Sequence, residues 1–543
     1  TVQDEGNFTP TFTASVGASV AVFTQEGIAV TLPVTLRPGA SNYKIVVTAE
    51  DGTTSNTYAW TITCIGEGFD ELRNGVAVSS LWADVGAGTA VYAEINGTVY
   101  KAYMGENAFA TIADAKPHVS SYNNTIFVMP GSTLSENASI GSINLYGANY
   151  RIDPRKANRY QESVMKGTIT VTGDGAVVSG FTFAETAVIS VTAESGVQIT
   201  NNIFKDEAAR IVQAIQISKV AVTYDNMLIR GNVFDMNASV PAIALSNVKG
   251  VTIRENEGAN AQSAAIVSIG AMIAGSQLEI SENAFDTALA VDATGASMSG
   301  YLLVSENTFK GGKGVRLNGE NANSTFIFNF YSNTAETTSW AVDVTQAQRA
   351  LADNFTANQN SFASIDRSVS VEYGNIDTTG ISPVDITENY YGTATPGNDY
   401  FDSNYSYKPY YVNAAKTALS NQIYDVDITV DGQPVVDNGH NMYASPAGTV
   451  AIVKAAFAEQ NIVEQAAIGS VFTADRENFY AGDTASFAMD EKKVAYITIF
   501  SLDGTEKEVQ TVTLYPISAN PVLDVYNVAS CTIDDMTVKI TVD

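Results

Sequence analysis

Along the middle of the chain, apolar residues recur two apart in short groups, each group ends in a polar corner, and the alternation then resumes. Val197 and Ile199 precede Asn202, Met227 and Ile229 precede Asn232, and Val251 and Ile253 precede Asn256. The same spacing leads to Asn283, Asn307, Asn333, Asn360 and Asn389, with steps between neighbouring asparagines of 24 (Asn232 to Asn256) to 30 (Asn202 to Asn232) residues. Two positions beyond the asparagine stand Phe204, Phe234, Phe285, Phe309, Phe362 and Tyr391, with Gly258 and Ala335 as departures. Alternation with period two predicts a strand with one buried face, so each unit reads as strand, polar corner, strand. Such a unit cannot bury its apolar face alone and must stack on its neighbours. The expectation is a parallel β-helix, with the phenylalanines as an interior stack. Asparagine suits the corner because it tolerates left-handed backbone and its side chain can bond the amide of the next coil.

The segments Phe109-Ala110-Thr111-Ile112-Ala113-Asp114-Ala115, Thr125 to Gly131 and Ile143 to Asn149 resemble the opening coils of the pectin-lyase-like right-handed β-helix family. Val178 to Phe183 resembles a further coil, and Asn389-Tyr390-Tyr391-Gly392 with Lys408-Pro409-Tyr410-Tyr411 resembles a closing one. The resemblance implies a short capping helix over roughly 109–119 and a β-helix over 109–415. Upstream, Tyr43 to Thr54 and Tyr58 to Thr63 alternate across an Asp51-Gly52 turn, the pattern of a hairpin, and resemble the cadherin-like β-sandwich of bacterial surface proteins. The predicted organisation is therefore all-β: a cadherin-like sandwich over 1–67, a connector and β-helix entry over 68–108, the β-helix over 109–415, and C-terminal β-sandwich modules over 416–543. In that last region 425–430, 494–500, 509–515 and 536–542 read as strands, and 450–465 reads as a helix.

Composition narrows the function. The 543 residues carry 29 Lys and Arg against 58 Asp and Glu, a formal charge of −29. This excludes nucleic acid and anionic membranes as partners, because both need basic patches. No stretch approaches the ~18 apolar residues of a membrane span. Richness in Thr, Ser, Asn and Gly with little Lys fits a secreted chain, and Thr1 is expected to be a processed start; a cytosolic chain would need an initiator Met.

The catalytic sets that the family resemblance leads one to seek, clustered acids for hydrolysis or acids holding Ca2+ beside a basic residue for elimination, do not occur as motifs in the repeat. The histidines His118 and His440 are expected to be structural, and the chain leans away from being an enzyme. One constellation remains. Glu255, Glu282, Glu306 and, three coils on, Glu388 immediately precede ladder asparagines, with Arg230 and Arg254 one position earlier on their coils; equivalent positions on adjacent coils lie about 4.8 Å apart, so Glu255, Glu282 and Glu306 are expected to form a column. Such a column would bind a cation, Ca2+ being the one cofactor considered, with Arg254 as a lyase base; the alternative is a solvated corner partly neutralised by Arg254. The tyrosines Tyr390, Tyr391, Tyr407, Tyr410 and Tyr411 would either contact glycans or a subunit, or cap the last coil.

The ends suggest assembly. Phe8, Phe12 and Val16 alternate with polar residues, as do Val538, Ile540 and Val542. Each end reads as a one-faced strand, completing either its own sheet or that of the next molecule by strand donation. About ten coils would place some 50 Å between Cys64 and Cys531, whereas a disulfide needs Cα atoms about 5–6 Å apart; a bond between subunits or two buried thiols are the simpler outcomes. These features predict a secreted structural protein, a filament or surface-layer subunit that self-associates head to tail. The alternative is a carbohydrate-active β-helix, either a glycan-binding adhesin or a divergent polysaccharide lyase.

Overall fold

The computed structural model describes residues 6–25, 27–36, 39–64, 70–156, 158–184, 186–206, 211–218, 226–260, 264–337, 339–362, 369–375, 378–393, 396, 405–435, 441–454, 462–469, 480–481, 484–517, 530–534 and 537–541. It is almost entirely β, with large parallel sheets. The chain divides into two compact units, Thr1–Gly392 with Pro396–Ser406, and Thr393–Thr395 with Tyr407–Asp543.

In the first unit, one parallel sheet (sheet A) holds fourteen strands among the described residues, from Ala108–Phe109 at one edge to Tyr405–Ser406 at the other. Its inward column runs in strict register through Ile126, Leu145, Val178, Ile199, Ile229, Ile253, Ile280, Val304, Phe330 and Ala357, and every one of these is buried. The remaining parallel strands form two further columns (sheet B). The first carries Phe183, Phe204, Phe234, Gly258, Phe285, Phe309, Ala335 and Phe362 in register. The second carries Ile189, Ile215, Ile243 and Val267. The columns join in the long strands Ala284–Ala293 and Thr308–Asn318. β-branched and aromatic residues at every second position suit strands of this kind.

The phenylalanine stack forms as the spacing predicts. Phe183, Phe204 and Phe234 lie 4.9 and 5.0 Å apart, nearly parallel. The two departures are filled from elsewhere: Ile266 and Phe285 crowd the space beside Gly258, and Phe330 of sheet A bridges Phe309 and Phe362 at 5.7 and 6.4 Å where Ala335 leaves room.

Sheet A begins within the stretch read as connector and β-helix entry. Val76–Val78, in the predicted connector, sits between Ala108–Phe109 and Thr125–Val128, and the hairpin of Ala90–Ile95 and Thr98–Tyr103 is inserted after it. The expected helix is present but short, Ile112–Ala115 followed by a 3-10 turn at Lys116–His118. Thr111 caps it, and the Glu136 carboxylate accepts from the backbone N–H groups of Ile112 and Ala113, which are otherwise unpartnered at a helix start.

Before the parallel sheets, Ala29–Val30, Ser19–Thr24, Gly39–Thr48 and Ser55–Cys64 form an antiparallel sheet, and Gly6–Phe8 pairs with Val34–Leu36. The Asp51-Gly52 turn is as read from the sequence: Asp51 accepts from the N–H groups of Thr53 and Thr54 and from the Thr54 hydroxyl. These bonds, that of the Thr54 hydroxyl foremost, pull its carboxyl down to about 2.

In the second unit a four-stranded and a five-stranded sheet share one apolar cluster that includes Val430, Val450, Ile497, Ile499 and Leu514. Of the segment read as helical at 450–465, residues 450–454 and 462–465 lie instead in two strands, Ala447–Lys454 and Ile462–Gly469, and the rest lies outside the described residues. Val450 and Ile452 lie among apolar residues of both sheets, a tertiary environment that overrides the weak helical propensity of this stretch. The expected closing segment Lys408–Tyr411 also belongs to this unit.

Candidate functional site

The polar corner between sheet A and sheet B carries the side chains singled out in the sequence. The ladder asparagines are buried, between 0 and 2 % exposed. Each side-chain oxygen accepts from the backbone N–H of the asparagine one unit earlier, at 2.7 to 3.0 Å, over seven links from Asn202 to Asn389. The Nδ2 group donates as well: that of Asn256 bonds Ile229 O, Arg254 O and Asn283 Oδ1 at 2.9 to 3.0 Å. The ladder thus satisfies buried backbone groups that would be costly to leave unpaired.

The left-handed backbone is not on the asparagines, as the sequence reading had it, but one residue before them. Asn201, Glu255, Glu282, Glu306, Ser332, Gln359 and Glu388 have φ of 54 to 57°, and Gly231 has 63°. None of the ladder asparagines has a positive φ, so the reversal falls on the neighbour. The N–H groups of Glu255, Glu282 and Glu306 bond carbonyls of Ser281, Ser305 and Tyr331 in the following unit, which holds these non-glycine residues in a conformation that costs about 1–2 kcal/mol.

The carboxylates do form a column, and arginines occupy it. Arg230 and Arg254 each reach Glu255 at 2.8 Å, and Arg254 also reaches Glu282 at 3.1 Å. Glu255 is held below its ordinary value chiefly by the hydrogen bond from Arg230. Glu306 forms no ion pair among the described residues. Among the described residues no three His, Cys, Asp or Glu side chains stand close enough to hold a metal ion. Nor is Arg254 suited to be a base. Its pKa is raised, first by the hydrogen bond to Glu255, and a base needs the opposite shift.

The tyrosines separate into two sets. In the first unit Tyr391 is 3 % exposed, stacks on Phe362 at 5.7 Å and donates to Ile386 O, so it ends the phenylalanine stack and offers no face to a sugar. Tyr390 bonds through its backbone to Asn360 O. In the second unit Tyr410 is 5 % exposed, with its hydroxyl pushed up to about 12 by burial. Tyr407 stacks on it at 6.2 Å, and Tyr411 pairs with Leu419. Burial removes Tyr391 and Tyr410 from the glycan or interface candidates.

At the N-terminal end the predicted long strand is only Gly6–Phe8, already paired with Val34–Leu36. Phe8 and Phe12 pack on Trp60 at 6.4 and 5.6 Å, and Val16, in a turn, is fully exposed. At the other end Val538 and Ile540 lie on Thr537–Thr541, paired with Ser530–Asp534, and Cys531 stands opposite Ile540. The side chains of Cys531, Val538 and Ile540, and all of Val542 and His440, lie outside the described residues. His118 packs on Phe109 at 4.5 Å. Cys64 is 0 % exposed, in a core with Val34, Leu36 and Ile62. A thiol so placed does not present itself to a second molecule, so the fold lends no support to a bond between subunits.

No family model matches the chain, and no curated protein matches it. Among the described residues no helix is long and apolar enough to cross a membrane.

Proposed function

We propose that the three strand columns are the faces of a right-handed parallel β-helix of the pectin-lyase-like class, flanked by a cadherin-like β-sandwich and by C-terminal β-sandwich modules. On this reading the chain is a secreted surface protein whose β-helix is a rigid spacer, and whose terminal modules join subunits into a filament or surface layer. The observation that carries it is the asparagine ladder: seven consecutive buried links leave little freedom to bend or slip between units. Right-handed crossovers between parallel strands are the general rule, and the acidic, lysine-poor composition suits an exposed protein.

The test is sedimentation and negative-stain electron microscopy of the purified chain over rising concentration. Polymers that persist in reductant and vanish when residues 530–543 are removed support joining through the terminal modules. A monodisperse monomer at every concentration overturns the assembly reading. Cys64 should be inert to a thiol reagent until the protein is unfolded, and rapid reaction in the native state would contradict its burial.

A further inference from the structure

The first unit contains a cleft of about 690 Å3, within the size range of small-ligand sites, that the spacer reading does not use. It lies where the hairpin of Ala90–Ile95 and Thr98–Tyr103 stands beside the first strands of sheet A. Its wall is built firmly. Tyr146 and Tyr150 stack at 4.3 Å with planes 9° apart, and the Arg151 guanidinium lies 5.3 Å from the centre of the Tyr150 ring. From the hairpin turn, Asn96 Nδ2 donates to the Tyr150 hydroxyl at 2.6 Å, which ties hairpin and sheet together. Phe127 packs on both tyrosines at 5.9 and 6.0 Å.

Four charged residues line the cleft: Asp70, Glu71, Arg73 and Arg151. None of them forms an ion pair among the described residues, and all four are exposed. Their charges cancel, in a chain whose net charge is −29. A ligand ion of either sign would therefore meet as many like charges as opposite ones. The groups that remain useful are hydrogen-bonding ones: carboxylates that only accept and guanidinium forks that only donate. A ligand rich in hydroxyls, each both donor and acceptor, satisfies both kinds at once. The rings of Phe127 and Tyr100 supply the apolar surface that such a ligand's C–H faces need.

We propose that this cleft binds a short neutral saccharide, with Asp70 and Glu71 accepting from its hydroxyls and Arg73 and Arg151 donating to them. The site recognises its ligand and performs no chemistry on it. It stands independently of whether the chain assembles.

The test is calorimetric titration of the full chain with cellotetraose, mannotetraose and a galactose tetramer, and with tetragalacturonate and chitosan tetramer as charged counterparts. At least one neutral tetramer should bind, with an affinity that changes less than about twofold between 0.05 and 0.5 M NaCl, since screening acts on charged partners. Glu71→Ala and Arg73→Ala should each weaken binding at least tenfold while leaving the melting temperature unchanged, because both side chains are exposed. Binding of a charged tetramer alone, strong salt dependence, unaltered binding by both variants, or no binding by any neutral tetramer would each overturn the proposal. Because assembly is read by sedimentation and this site by titration, either reading can fail without the other.

Discussion

The stretch from Asn202 to Asn389 and the stretch before it, from Val76 to Gly180, are stacked by the same parallel pairing yet are held differently. In the later stretch one corner residue type repeats, and its side chains bond one another through the core. In the earlier stretch glycine and individual contacts replace the repeat. Gly180 takes the left-handed position that Glu255 and its equivalents occupy later, and a Cβ there would meet the backbone of Asn149 and Tyr150 at 2.0 to 2.4 Å. Phe181 stands where the asparagine would be, and its N–H is bonded by Asn202 Oδ1. Tyrosines and arginines then crowd the outer surface. The difference teaches that repetition holds the corner by one bonding pattern used again and again, whereas departures from it accompany the inserted hairpin and its cleft.

The comparison can be broken most forcefully at the core of the regular stretch. Phe204→Ala, between two stacked rings, should cost about 3–5 kcal/mol, read as a lower urea midpoint. Asn283→Leu removes the acceptor for the Asn256 N–H and Nδ2 groups and the donor to Ile253 O. It should cost about 2–4 kcal/mol, since each stranded buried group costs about 1–3; a loss below ~1 kcal/mol would mean the ladder is incidental. In the earlier stretch Tyr146→Ala, on the outer surface, should cost about 1 kcal/mol while loosening the cleft wall, detectable as faster amide exchange in the hairpin of residues 90–103.

The next prediction is a pH dependence. Glu255 has a lowered folded pKa, so its contribution is complete above its ordinary value of 4.5 and is lost as pH falls through the lowered one. Glu255→Gln should therefore be less stable than the parent at pH 6, with the gap narrowing as pH falls below 4.5; a gap that persists in acid points to lost packing instead. The smallest effect is expected of Glu306→Asn. With no ion pair to lose and a φ of 57°, the change relieves backbone strain and should stabilise by a few tenths of a kcal/mol. Destabilisation would show that the Glu306 side chain has a role its surroundings do not reveal.

The strand period, the inward columns and the interior rings were legible because each repeats in the sequence with fixed spacing. The corner was legible only in part. Asparagine's known tolerance of left-handed backbone pointed to the wrong residue; the better signal was Gly231, standing just before Asn232. The arginine pairing of Glu255 was half visible: Arg230 and Arg254 both stand at the corner in the sequence, but only Arg254 was expected to neutralise the column, because Arg230 comes from the preceding unit and register brings it to Glu255. Val76–Val78 was not picked out within the predicted connector and entry because three residues are too short to show a period, and the 450–465 segment was misread because its described residues belong to two separate strands. The cleft had no sequence signature at all, since Arg73, Asn96, Phe127 and Arg151 are brought together only by the inserted hairpin.

The asparagine ladder also has a direction. Each oxygen serves the unit before it, so an asparagine's own N–H waits for the unit after, and at the last rung Nδ2 turns to Ile386 O and the Tyr391 hydroxyl instead. A unit taken out or duplicated whole, from one asparagine to the next, leaves every interior bond with an equivalent partner. Length in this stretch is thus adjustable in discrete increments, and evolution or an engineer can lengthen the molecule as one extends a ruler by whole divisions, without redesigning either end.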